Sequence, residues 1–574
     1  MSDSLQHRLL ARLEQDPHRP AVAFYSIPGQ VSWRNVQDLY GNVGATARRL
    51  AEEGLRRGEV CIIVLPSGEA AAIATLAVLL LGALPLLIAP PILQGVHSTF
   101  LQTLRRTMLT TRASIVLCPE SMRQLLQDLR GNRSRPRFLF GPITTGRDEV
   151  AILPRTFPDD SQVAALQLTS GTTGVPRICV WTHRAVLAAL DGMAGAMALT
   201  DADVCFNWTP LYHDMGLVNN LLLCLTQGVP IALLSPQDFV KNPALWLRGL
   251  SETGATTTWS PNFGFAIATQ RAKDEHLEGV SLHRVRAFWN AAERIHLETM
   301  QAFYNRFASY GLRREALKTN FGCAENVGGA TFSDPEGPFV SEYVDPQALY
   351  SHGIARPLPG QIDGQRGVAV VGVGRPHPGL RVHILSKRAR ILPDGEVGEI
   401  TLDTPSRMVG YLGDTRATRR ALTNGLLRTG DLGYMRGGEV FWVGRVKERI
   451  TVRGRKLDPS DFEPVLFEIP DLRPGCFAAF GIDDETSGTQ RIVIVTEVRD
   501  PLSRPQQEIT GDISRGVFLH LGLKLDDIVL VRPGTLTKTS SGKRRHRFFR
   551  RLYVEGGLAP LTVSGDATTG QASA

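Results

Sequence analysis

A ten-residue run, Leu168–Arg177 (LTSGTTGVPR), limits the folds open to this chain more than any other stretch. It sets Thr169, Ser170, Thr172 and Thr173 around Gly171 and Gly174, with almost no side-chain bulk. Backbone N–H groups and short hydroxyls can then converge on anionic oxygens. The apolar runs on either side, Val163–Leu168 and Ile178–Trp181, predict two strands joined by this loop, which is of the kind that wraps a polyphosphate. It is not a Walker loop: the G-x-x-x-x-G-K-S/T spacing is absent here, and the Gly542-Lys543 pair is followed by Arg544. Composition alone would also allow a Ser/Gly-rich linker, but the strand-like flanks argue against it.

A chain of 574 residues with 43% hydrophobic content buries large cores and divides into several lobes. Ala70–Ala89 carries no charge over twenty positions, yet Gly82 and Pro85 interrupt it and a strand-like run, Val60–Leu65, precedes it. That order predicts a buried strand–helix–strand unit rather than a membrane span. The amphipathic, charged N-terminus (MSDSLQHRLLARLEQDP) lacks the form of a secretory signal. Seven cysteines, with no CxxC pair, fit reduced thiols and a cytoplasmic protein. A net charge of +8 is small for this length and gives no footing for nucleic-acid binding. The one concentrated basic run is Lys543–Arg551, where six of nine residues are Lys or Arg; it reads as a solvated face or as a surface that steers an acidic partner.

Apolar strand-like runs alternate with helical patterns through the first 330 residues, which predicts layered α/β sheets. Pro and Gly thicken between Ser333 and Gly379, too long a connection for an ordinary loop. A short-strand region follows to about Val443, then a final block of about 110 residues with its own α/β alternation. The expected fold class is α/β, with a large multi-lobed N-terminal domain of layered sheets plus a β-rich lobe (1–446) and a small mobile α/β C-terminal domain (447–555). Residues 556–574, rich in Gly, Ala, Ser and Thr, are expected to form a disordered tail.

Five further motifs follow the loop in order: NWTPLYHDMGL (207–217), NFGCAE (320–325), LRTGDLGY (427–434), GRVKERITVRGRKLDPSDFE (444–463) and TKTSSGKRR (537–545). Together they resemble the adenylate-forming superfamily of acyl-CoA synthetases, peptide-synthetase adenylation domains and luciferases, over nearly the whole chain. Within it the chain is most similar to the fatty acyl-AMP ligases. YHDMGL, the NAAERI run (290–295) and RGRKLDPSDFE carry that finer resemblance, and the segment from Ser333 to Gly367 lies where those ligases have an insertion.

The resemblance implies ATP-dependent formation of an acyl-AMP with release of pyrophosphate, then transfer to the phosphopantetheine thiol of an acyl carrier protein acting in trans. ATP and Mg²⁺ are the expected cofactors. Thr169 to Gly174 would hold the terminal phosphates, Glu325 the Mg²⁺, and Asn320, Phe321 and Gly322, with Ala291, Ala292 and Glu293, the adenine wall. Asp431 would accept from both ribose hydroxyls, since one carboxylate can bind a vicinal diol, and Arg445 would add a second ribose contact. Lys447 falls at the hinge between the two domains. Lys543, on a glycine-flanked loop, would reach the α-phosphate only when the small domain closes. His213 and Asp214 would lie beside the carboxylate, and Gly454 beside the substrate or the pantetheine path.

Some positions depart from that pattern. Arg177 replaces the usual Lys that closes the loop, Phe321 a common Tyr, Thr537 a usual Pro, and Ala291 and Arg294 the Gly and Pro of NGAEP. Every ATP-binding motif is shared with acyl-CoA synthetases, so free CoA remains an alternative acceptor. A catalytically silent binding protein on the same fold is the alternative from another class, and the retained Glu325, Asp431, Arg445 and Lys543 argue against it. Acyl chain length is not readable from these residues.

Overall fold

The computed structural model describes residues 4–91, 97–130, 136–141, 157–169, 176–358, 367–484, 489–500, 502–539 and 542–561. Ser170, Gly171, Thr172, Thr173 and Gly174 of the polyphosphate loop lie outside the described residues, as do 359–366 and 562–574.

Short, uncharged strands such as Thr257–Pro261 and Ala287–Ala291 are buried at every position. That pattern belongs to parallel strands covered on both faces. They join Leu317–Cys323, Cys205–Asn207, Ile231–Leu234 and Pro20–Tyr25 as six parallel strands of a nine-stranded sheet. Antiparallel strands close its edges, Trp33–Asn35 on one side and Gly328–Phe332 with Arg375–Pro376 on the other. A second sheet of four parallel strands is ordered Leu84–Leu87, Val60–Ile63, Ile115–Cys118, Arg137–Phe140.

The uncharged stretch near residue 80 forms the expected strand–helix–strand unit: Val60–Ile63, helix Glu69–Leu80 and Leu84–Leu87, with Ala71 to Leu80 all buried. A helix apolar all round belongs inside a large core. Among the described residues no helix is long and apolar enough to cross a membrane. Val163–Leu168 and Ile178–Thr182 pair antiparallel, so the chain between them joins two strands as expected.

The β-rich region contains Arg381–Leu385, Gly398–Asp403 and a long hairpin, Leu426–Arg436 with Glu439–Arg445, turned by Gly437-Gly438 at positive φ. The last block sets helices Gln506–Leu521 and His546–Val554 on the sheet Leu472–Asp484, Thr489–Val498, Asp527–Val531. Its core also takes in Val344, Leu349 and Tyr350 from the inserted segment, so that segment packs on the C-terminal block as well as on the hairpin residues Tyr434 and Phe441. The chain keeps contacts six residues into the expected tail: Leu561 N–H donates to the Leu530 carbonyl at 2.9 Å. Hydrogen bonding and packing of Leu558 and Leu561 hold those residues in place. All seven cysteines are free thiols, five of them buried.

His183 ties the N-terminal helix to this frame. Its Nδ1 accepts from Leu5 N–H at 3.3 Å, and burial, with Arg57 nearby, pushes its pKa down to about 4. The folded protein therefore holds His183 neutral while the unfolded chain protonates near pH 6.5. Stability from this group is intact above pH 6.5 and is lost as pH falls toward 4, to a total of about 3 kcal/mol. His183→Asn keeps an acceptor without a titrating group. Its unfolding free energy should fall less steeply than that of the parent between pH 7 and 4; equal slopes would mean that the buried imidazole is already charged.

Candidate active site

The C-terminal ends of the parallel strands open into a cavity of about 270 Å³, the usual position for a ligand in such sheets. It is lined by Thr169, His213, Asp214, Ala291, Ala292, Glu293, Asn320, Phe321, Gly322, Glu325, Asp431, Arg445, Lys447 and Lys543. Residues 374 positions apart in the sequence, Thr169 and Lys543, thus meet at one site.

Asp431 and Arg445 lie directly opposite each other on the long hairpin, so strand register alone brings them together. Arg445 Nε donates to Asp431 Oδ1 at 3.0 Å, and Trp442 Nε1 donates to the same oxygen at 3.1 Å. The Asp431 charge and burial act in opposite senses on the Arg445 guanidinium, and the carboxylate wins, holding it well above its usual range. Next to them Glu448 is pushed up to about 7 by burial, against the pull of Arg445.

Glu325 sits in the turn Ala324–Asn326 that follows strand Leu317–Cys323. Tyr411 OH donates to its Oε1 at 2.6 Å, and Trp181 Nε1 donates to the Ala324 carbonyl at 2.8 Å, tying this turn to the strand that leaves the polyphosphate loop. Arg177 donates from Nε to Asp414 at 3.2 Å and lies over the Tyr411 ring, 5.4 Å from its centre. It therefore braces the tyrosine that holds Glu325.

Across the cavity His213 Nδ1 lies 2.7 Å from Asp214 Oδ1. Burial would raise the Asp214 carboxyl, but His213, Lys543 and the Met215 N–H hold it below its ordinary value. Lys543 reaches in from the C-terminal block. Its loop is closed by Thr539 N–H to the Lys543 carbonyl at 2.8 Å and Lys543 N–H to Thr539 Oγ1 at 3.0 Å. Gly542, at φ +82°, lies so close to Phe263 that a Cβ would fall 2.9 Å from its ring. Burial and Arg445 lower the Lys543 pKa, opposed by Asp214, Asp431 and Glu293.

Lys447 lies at the cavity rim, its pKa lowered by burial and by the surrounding arginines. Gly454 is not part of the cavity; it occupies the turn between Ile450–Val452 and Arg455–Leu457 at φ +80°, with open space around it.

Sequence reasoning missed a charge network that seats the lysine loop. Arg294, noted only as a departure from Pro, forms a buried ion pair with Asp461. His296 Nε2 meets Glu463 Oε2 at 2.8 Å, and the other oxygen of Glu463 accepts from Arg544, the residue after Lys543. Burial would raise the Glu463 carboxyl, but Arg544 and His296 hold it far below the usual carboxylate range. The available signal was the pair of charged strings, ERIH at 293–296 and DFE at 461–463.

The AMP-binding enzyme family matches residues 9–412. The chain belongs to that family. It is 32% identical over 410 residues to the medium-chain-fatty-acid acyl-carrier-protein ligase JamA of Moorena producens, covering 69% of this chain and 68% of that protein. It is 32% identical over 429 residues to the long-chain-fatty-acid AMP ligase FadD26 of Mycobacterium marinum, covering 70% and 71%. A solved chain from structural and functional studies of fatty acyl-adenylate ligases from E. coli and L. pneumophila superposes with a TM-score of 0.87 at 25% identity, over 96% of this chain and 98% of that one.

Removing one partner from a buried ion pair costs about 3–5 kcal/mol. Glu463→Gln leaves Arg544 and His296 facing each other without their common anion. Amide hydrogen exchange should then quicken in the Lys543 loop and at residues 294–296, while strand Thr257–Pro261 keeps its protection. Unchanged exchange at the loop would show that the network does not hold it.

Proposed function

We propose that this chain is an ATP-dependent ligase that converts a fatty or related carboxylic acid to its acyl-AMP and passes the acyl group to the phosphopantetheine thiol of an acyl carrier protein supplied in trans. The observation that carries this reading is one cavity shared by Lys543, Asp431 with Arg445, Glu325, and His213 with Asp214. In-line displacement of pyrophosphate from ATP needs positive charge at the phosphates and an anchored nucleotide, and these residues offer both.

In this reading Thr169 and the loop after it take the terminal phosphates, Phe321 and the Ala291–Glu293 backbone flank the adenine, and Asp431 with Arg445 holds the ribose. His213 and Asp214 flank the acid, and Lys543 faces the α-phosphate. Among the described residues no group of three or more His, Cys, Asp or Glu is placed to hold a metal ion. A lone carboxylate such as Glu325 still suits Mg²⁺, which is commonly bound by one or two carboxylates together with substrate phosphates. When bound there, Mg²⁺ would neutralise charge on the phosphate oxygens. The two-domain division at 446/447 belongs to the same proposal, with Lys447 as the hinge and Gly454 reaching the pantetheine path only after the small domain has turned. Free thiols throughout support a cytoplasmic setting.

Lys543→Ala should slow acyl-AMP formation by roughly 10²–10³, about 3–4 kcal/mol, the cost of one preorganised donor. Transfer from supplied acyl-AMP should stay nearly unchanged. ATP–pyrophosphate exchange and single-turnover thioester formation measure the two steps, and equal loss in both would make Lys543 structural.

The acceptor depends on the segment 333–367. Its Tyr434 and Arg436 contacts run through Glu342, at 2.6 Å to the Tyr434 hydroxyl and 3.0 Å to Arg436 Nε. Its Tyr350 bonds to Asp461 of the C-terminal block and stands under the Arg455 guanidinium, 5.4 Å away. A segment bonded to the hairpin through Glu342 and to the C-terminal block through Tyr350 would restrain rotation of the small domain. The intact protein should therefore accumulate acyl-AMP, form little acyl-CoA with free CoA, and load a phosphopantetheinylated carrier. Shortening the segment should raise the CoA reaction. Rapid acyl-CoA formation by the unmodified chain would make it a CoA ligase instead.

A further inference from the structure

Buried side-chain oxygens almost always find a partner, so those that do not point to something that arrives later. Among the described residues, the buried oxygens without a partner that also line the cavity belong to Glu448 and Asn219. Glu448 stands beside Arg445, on the side proposed for the ribose. Asn219 belongs to the opposite wall, in the segment Leu217–Leu222 that continues from His213 and Asp214. That segment is π-helical, a distortion that recurs at functional sites.

The residue is 5% exposed, and its Oδ1 has no hydrogen-bond partner. Its neighbour Asn220 shows the contrast: Nδ2 donates to the Met215 carbonyl at 2.7 Å and Oδ1 accepts from the Cys205 thiol at 3.2 Å. Opposite Asn219 lies Gly328, three residues after Glu325, at φ +108°. A Cβ on Gly328 would fall 2.3 Å from Asn219 Oδ1, so the amide lies against the Gly328 backbone at the cavity wall and keeps that position only because residue 328 has no side chain. A wall meant only for methylene groups gains nothing from a buried amide, because an unpaired amide in apolar surroundings is costly.

We propose that Asn219 is a specificity residue for the acid, and that this cavity takes an acid bearing a hydroxyl group, which pairs with the Asn219 amide. A hydroxyl both donates and accepts, so it satisfies the amide whichever way the amide faces. Sites built around a substrate hydroxyl discriminate strongly against the analogue lacking it, because their own polar group is then left unpaired. The proposal rests on the acyl-activating reading above and names its substrate class.

The test is ATP–pyrophosphate exchange by the full chain with chain-matched acids, unsubstituted or carrying an α-, β- or ω-hydroxyl, from hexanoate to palmitate. One hydroxy series should exceed its unsubstituted match in kcat/KM by roughly tenfold or more. Asn219→Leu, similar in volume and without polar atoms, should lower exchange with that hydroxy acid and raise it with the plain acid, erasing the preference. Asn219→Ala should weaken the preference in the same direction. Equal use of hydroxy and plain acids by the parent, or a preference that survives both substitutions, overturns the role of Asn219 while leaving acyl activation standing. No exchange with any acid overturns acyl activation, and the inference with it.

Discussion

The contact on which the active arrangement depends is the one at Asp461. Its carboxylate meets Arg294 from the large α/β region, Tyr350 from the inserted segment and, through the N–H of Asp458 at 2.7 Å, the start of the C-terminal block to which it belongs. Three parts of the chain that are remote in sequence therefore share one buried anion. Two residues on, Glu463 makes the parallel junction between His296 and Arg544. Together these pairs fix the angle at which the C-terminal block presents Lys543. Buried pairs add little net stability over apolar contacts, but they penalise any arrangement that separates them. That property suits an interface whose geometry must be definite.

On the other side, strain prepares the cavity. Ala292 (φ +72°) and Val327 (φ +57°) both adopt left-handed backbone, which is costly for a residue with a Cβ and more so for one that is β-branched. Ala292 precedes Glu293, and Val327 follows the turn that carries Glu325. Strain of this kind persists where surrounding contacts over-determine the backbone. Here the contacts are identifiable: Glu293 is held by Phe263 N–H at 2.7 Å, and Glu325 by Tyr411. The ring of the same Phe263 lies against Gly542, so Glu293 and the lysine loop lean on one residue, the first through its backbone N–H and the second through its side chain.

Much of this was legible in the sequence where chemistry and local order coincide. The loop between two strands, the buried helix Glu69–Leu80, and the motifs holding Glu325, Asp431 and Lys543 all announce themselves within ten to twenty residues. The Asp431–Arg445 pair was legible only as two separate expectations, because their meeting depends on hairpin register and the bulge near Gly433. Arg294 with Asp461, and His296 with Glu463, are each 167 positions apart, and nothing local in either string names its partner. Asn219 was hidden for another reason. An Asn inside an apolar run looks like a satisfied core amide until its unpartnered oxygen, seated against Gly328 at the cavity wall, is seen. Gly454 shows the converse, a motif residue that stands away from the cavity.

The charges in the cavity also set what a bound anion would change. Burial is the main cost of placing the Lys543 ammonium in this site, and the neighbouring Arg445 adds to it. Asp214, Asp431 and Glu293 offset it only in part, since Asp431 is committed to Arg445 and Glu293 to the Phe263 N–H. Lys543 is thus held below its usual range by the protein itself. A polyphosphate placed between Lys543 and Arg445 would supply the missing negative charge and favour the ammonium form. The interaction that holds Lys543 in the cavity would then be strongest with such an anion present, which is the condition for a ligand to shift an equilibrium between arrangements. Without it, the interface pairs at Asp461 and Glu463 must hold the lysine against its own desolvation, and with it the same pairs need only set the direction.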